Sequence, residues 1–177
     1  MKFISLILIV WSSLHVQKNI INEKGTDEVK CLVSFSIYNA GLKVTGTIDS
    51  VRAIIHFDPL DISKSYVEAW ANAATVRTGI SIRDNHLKRK DYFDVEAYPL
   101  INLKSKSFRK AGRHKAIGDF DVTIKGITRS VPVTFTISTN DMHPRYSATF
   151  RLNRLDFNLG EESVILENNV AVDVKVD

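Results

Sequence analysis

Five histidines, one cysteine and a short polar run are the side chains here with obvious chemistry to offer. Their spacing excludes more than it allows. His15, His56, His86, His114 and His143 are scattered, with no His-x-His or His-x3-His pair to set two imidazoles on one metal, so no metal site is expected. Cys31 is the only cysteine, which leaves no intramolecular disulfide. It lies in an apolar stretch, where a small core hydrophobe is a simpler reading than a reactive thiol. No Gly-x-Ser-x-Gly elbow is present and Cys31 has no evident partner, so nucleophilic catalysis has no support. No cofactor is expected.

The suggestive cluster is Arg83, Asp84 and His86, three polar types within four positions. Such a set can meet a ligand head group or guard a mouth, or Asp84 and His86 can serve as acid and base. It can equally be structural. Asp84 can cap or pair with Arg83 and fix a helix to its neighbours, while His86 bonds a strand carbonyl. Thr78 with Gly79 has the residue types that shape a helix entry, and Thr78 joins the head-group candidates. Arg154 and Asp156 sit two apart, as an ion pair on one strand face would require, although a solvated pair contributes little.

The elements that must carry these residues are strands. From residue 29 onward, apolar residues alternate with polar ones at period two. Val29, Cys31, Val33, Phe35 and Ile37 share one face, Asn39-Ala40-Gly41 turns the chain, and Leu42, Val44, Gly46 and Ile48 return it. Ala53, Ile55 and Phe57 read as a third strand stopped by Asp58-Pro59, and Val67, Ala69, Ala71 and Ala73 repeat the spacing. The pattern changes between Thr75 and Asp94. There Arg83 to Leu87 reads as helical or irregular, and Asp91-Tyr92-Phe93 as an aromatic plug. Alternation resumes at Ile101/Leu103, Phe120/Val122/Ile124, Val131 to Ile137, Ala148/Phe150/Leu152 and Val170 to Val176, with turns at Lys125 to Thr128 and Asn140 to Pro144.

Eight substantial strands with short turns imply an all-β, closed antiparallel barrel; a β-sandwich is the alternative that strand spacing leaves open. Eight strands enclose an interior that either fills with side chains or holds one small ligand. The alanine-rich face bears on that choice. Turned inward, Ala69, Ala71 and Ala73 leave volume that Leu or Ile would fill; turned outward, they pack beneath the helix. An unfilled apolar lumen would suit an apolar chain, since burial contributes about 0.8 kcal/mol per methylene.

Lys2 followed by the apolar run Phe3 to Trp11 has the charge and length of a secretory signal, too short to span a bilayer. Residues 1–18 are therefore expected to be a signal peptide, cleaved between Ser13 and Asn19. The mature domain would be 19–177, periplasmic or secreted, with no stable membrane insertion after cleavage. The formal net charge of +4 is spread along the chain without interleaved aromatics, so no nucleic-acid partner is expected.

One stretch is specific. TGISIRDNHLKRKDYFDVEAYPLI, from Thr78, resembles the YceI-like family pattern of Thr, Arg-Asp-x-His-Leu, Asp-Phe-Phe-Asp and Tyr-Pro. Val33 to Ile37, Gly46 to Ile48, Phe57 to Pro59, Asp121 to Thr128 with Val131 to Val133, and Arg154 to Phe157 match in the same order. The resemblance implies an elongated, lipocalin-like eight-stranded barrel with a short helix near one end. It also implies an exported protein that binds a polyisoprenoid, an isoprenoid quinone or a fatty acyl chain in its lumen for transport or storage. No enzymatic activity marks the family, so an enzyme acting on such a lipid, through Asp84 and His86, is the second reading. Carried onto this chain, the lumen residues are Phe35, Ile37, Val44, Ile55, Ala69, Ala71, Leu103, Val122, Ile124, Phe135, Phe150 and Leu152. Thr78, Arg83, Asp84 and His86 stand as candidates at the mouth. Phe120 departs from the family, which often has Gly there. Sharing a face with Val122 and Ile124, it would narrow the tube and favour a shorter chain, such as a fatty acid or its amide. A barrel with one open mouth can also protect it by pairing, so a homodimer is an expected partner arrangement.

Overall fold

The structure is a computed structural model that describes residues 28–58, 60–138 and 145–176. The expected signal peptide, Pro59 and the Asn140–Pro144 turn lie outside the described residues. The strands are β1 (Glu28–Asn39), β2 (Leu42–His56), β3 (Tyr66–Asn72), the two-residue β4 (Val76–Arg77), β5 (Leu100–Gly112), β6 (Lys115–Ile124), β7 (Ile127–Ser138), β8 (Arg145–Asn153) and β9 (Asn169–Val176). Among the described residues there is one α-helix, α1 (Ser81–Leu87), between β4 and β5.

Strand order runs β1-β9-β8-β7-β6-β5-β3-β2, and β2 pairs back onto β1, so the sheet closes. Every strand pairing is antiparallel. Closure leaves the two-sheet sandwich without support: a sandwich would keep free edges, whereas here only β4 adds outside the circle, beside β2. Tight two-residue hairpins set the register, and two of them have the same backbone form. Ala40-Gly41 joins β1 to β2 and Lys125-Gly126 joins β6 to β7, all four residues at positive φ, as a two-residue turn matched to strand twist requires.

Two strands differ from the alternation read off the sequence. Leu42–Ile48 and Ala53–Ile55 are not separate strands but parts of one, β2, and Phe57 lies just past its end. The inward set changes from even positions (Val44, Ile48) to odd ones (Val51, Ala53, Ile55) across Asp49-Ser50, where Ser50 has φ 54. One extra residue there against β1 is a β-bulge, which bends the strand without ending it. The same device lengthens β5. Its register with β6 shifts between Ser105 and Ser107, so the inward set passes from Ile101 and Leu103 to Phe108.

Two clusters of buried residues form the core. One gathers Phe120, Val122, Ile124, Val131, Val133, Phe157 and Leu159; the other gathers Cys31, Ile48, Val51, Ala53, Ala71 and Val76. Phe93 packs against both. The aromatic plug expected at Asp91-Tyr92-Phe93 ties α1 to the barrel: the Phe93 amide donates to the Leu87 carbonyl, and the Gly160 amide to the Asp91 carbonyl.

Candidate functional site

Inside the barrel is a cavity of about 410 Å³, within the range of pockets that hold small apolar ligands. It reaches from Phe57 and Tyr146 at one end to Arg83, His86 and Leu166 beside α1 at the other. All twelve residues expected to face the lumen line it. Their burial is informative. Phe35, Ile37, Val44, Ile55, Ala69, Leu103, Phe135, Phe150 and Leu152 point inward yet are only half-buried, whereas a core filled by its own side chains would seal them. The lumen is unfilled.

The alanine face accounts for part of that space. Val67, Ala69 and Ala71 line the cavity, while Ala73, in the turn after β3, is buried outside it. Phe120 also points inward but does not line the cavity. It is fully buried behind Phe108 and Phe135, with ring centroids at 5.7 and 5.4 Å, and both of those rings do line it. Together the three rings fill one stretch of the interior. Sequence reasoning missed Phe108 because the bulge in β5 breaks the alternation ahead of it. It also passed over Val172 and Val174, whose strand was seen but not carried to the lumen.

Three of the four mouth candidates, Thr78, Arg83 and Asp84, bond one another, and the fourth, His86, bonds Asp91. Asp84 Oδ1 accepts from the Thr78 amide at 2.7 Å and from the Thr78 hydroxyl. Arg83 Nε donates to Thr78 Oγ1 at 2.7 Å and Nη2 to the Thr78 carbonyl at 2.9 Å. The N-cap Ile80 makes no side-chain cap bond, and Asp84 instead ties the first turn of α1 back to the segment that leads into it. Chiefly through the Thr78 hydroxyl, with Arg83 and Lys88 adding attraction, its carboxyl is held below the ordinary 3.8. His86 does not reach a strand carbonyl as expected. Its Nε2 meets Asp91 Oδ2 at 2.6 Å, and its ring stands edge-on to Tyr92. That bond is the main reason the Asp91 carboxyl is also lowered. Of the four, Arg83 and His86 line the cavity; Thr78 and Asp84 hold the helix from outside it.

Arg154 and Asp156 form no rim pair. β8 ends at Asn153, whose side chain caps a 3₁₀ turn, Arg154–Phe157, and this carries Arg154 into the interior while Asp156 stays exposed. Among the described residues no three His, Cys, Asp or Glu side chains gather closely enough to hold a metal ion.

The comparisons agree with this architecture. Residues 26–177 match the YceI-like domain family. The chain belongs to the YceI-like family. A relative from Photorhabdus laumondii, UPF0312 protein plu2095, is 26% identical over 133 residues, 71% of this chain and 69% of that protein. Among solved YceI-like folds, Burkholderia cenocepacia BcnA superposes with a TM-score of 0.79 at 22% identity, covering 82% of this chain and 94% of its own. A polyisoprenoid binding domain from Saccharophagus degradans, implicated in plant cell wall breakdown, gives 0.66 at 11% identity, covering 86% and 97%. At such identities the two structures establish the shared YceI-like fold.

Proposed function

We propose that this protein carries or stores a long apolar lipid, a polyisoprenoid, isoprenoid quinone or fatty acyl chain, in the barrel lumen, and that it works after export in the periplasm or outside the cell. The observation that carries this reading is the unfilled cavity, whose wall is apolar almost throughout. Ten methylenes moved from water into such a wall contribute roughly 8 kcal/mol, about what a micromolar Kd requires before immobilisation costs. A neighbour of the same fold that binds polyisoprenoid supports the choice of cargo. The proposed signal peptide supports the location.

The enzyme reading asked Asp84 and His86 to work as a pair. Each has its own partner instead, Thr78 for one and Asp91 for the other, which favours a binding role.

Native mass spectrometry of the purified full chain, followed by organic extraction, tests the proposal. The expected result is a population heavier than the polypeptide, with the excess recovered as a long-chain lipid. The proposal fails if no lipid is recovered and none binds on addition.

A further inference from the structure

One buried cation stands apart from the α1 cluster. Arg154 is 3% exposed and belongs to the cavity wall. Its Nε donates to the Glu167 carbonyl at 3.1 Å and its Nη1 to the Leu159 carbonyl at 3.0 Å. Both acceptors are neutral, and no carboxylate among the described residues forms an ion pair with it. The third nitrogen, Nη2, is buried with no hydrogen-bond partner. Asn39, which bridges Leu166 next to the Glu167 that holds Arg154, likewise has a buried Oδ1 without a partner, and its amide can turn to present its NH2 instead.

A buried guanidinium with an unused donor and no counter-charge is costly unless something supplies an oxygen. The other two basic side chains of the wall are engaged beside α1. Arg83 spends two nitrogens on Thr78, and His86 is bonded to Asp91. Among them only Arg154 has a buried guanidinium nitrogen left without a partner. Its planar fork suits a carboxylate or phosphate oxygen far better than it suits a hydrocarbon.

Resting on the carrier reading, we propose that Arg154, helped by Asn39, receives the anionic oxygen head group of a single-chain lipid. The ligand then lies with its head at the Arg154–Phe157 turn and its tail along the apolar barrel. A carboxylate and a phosphate monoester share the required chemistry.

The test is a binding titration on delipidated full-length protein with two matched pairs, palmitate against hexadecanol and farnesyl phosphate against farnesol. At least one anion should bind wild type roughly tenfold tighter than its own alcohol, and the pair showing this identifies the head group. Arg154→Gln should bring that ratio to about one while leaving the alcohol's affinity unchanged. Should Arg154→Gln fail to fold, Asn39→Asp sets a negative charge beside the site and should weaken the anion alone by about tenfold. Anions and alcohols binding wild type equally would overturn the assignment. So would an anion preference that survives in whichever of the two variants folds. Absence of binding by all four compounds would instead sink the carrier reading itself, and this assignment with it.

Discussion

Phe108 stands edge-on to Phe120, ring centroids 5.7 Å apart and planes at 88°, over a glycine that makes room for both. A Cβ built on Gly118 would lie 2.6 Å from the Phe120 ring and 2.8 Å from that of Phe108. The bulge in β5 turns Phe108 inward, and Gly118 lets the two rings share one level of the barrel. This wall fills volume that a longer ligand would otherwise occupy.

Phe120→Ala should therefore lengthen the cavity at a cost in stability. Removing a buried phenylalanine typically costs about 3–5 kcal/mol. Urea denaturation should report a loss of that order. Binding across a series of fatty acids should show the preferred chain moving to greater length. An unchanged length preference in a folded variant would mean that the rings do not limit the cargo.

The anchoring of α1 should depend on pH in a definite direction. The Asp84 carboxyl is lowered from 3.8, first by the Thr78 hydroxyl. A group lowered by folding stabilises fully above its unfolded value and loses that contribution as pH falls through its lower folded value. The α1 contact is thus intact at neutral pH and weakens only below about pH 4. Titrating the Asp84 carboxyl carbon by NMR should give a midpoint below 3.8, and Thr78→Val should raise it toward that value. A midpoint that Thr78→Val leaves unmoved would remove the hydroxyl from the account.

Much of this was legible in the sequence, and the failures have physical causes. β1, β7, β8 and β9 keep strict alternation, so their inward faces could be read directly. β2 was read as two strands because its bulge flips the inward phase at Ser50, and the bulge in β5 concealed Phe108 the same way. At α1 the residue types were informative but their partners were not. Thr78 bonds Asp84 from six residues away and Asp91 bonds His86 from five, contacts that only the turn geometry creates. Arg154 was the furthest from view. A 3₁₀ turn at the end of β8 buries it, and two carbonyls from the following loop hold it there, which no periodic pattern announces.

Cys31 should prove inert. Burial pushes its thiol up to about 11, so at pH 8 roughly one molecule in a thousand carries a thiolate. Reaction with iodoacetamide at that pH should run orders of magnitude below the rate for the same chain in denaturant. Rates that match in the folded and unfolded protein would show Cys31 to be exposed.

The central claim is that a lipid sits in the space the barrel's own side chains leave unfilled, and Ala69 offers the most direct access to it. Ala69 lines the cavity and is only half-buried, so a larger side chain there would project into open space. The decisive measurement is a titration of wild type and Ala69→Phe with the lipid recovered from the purified protein, with thermal melts of both. The account predicts that Ala69→Phe stays folded, melts close to wild type and binds at least about tenfold more weakly. A folded Ala69→Phe that binds as tightly as wild type would place the lipid elsewhere and contradict it.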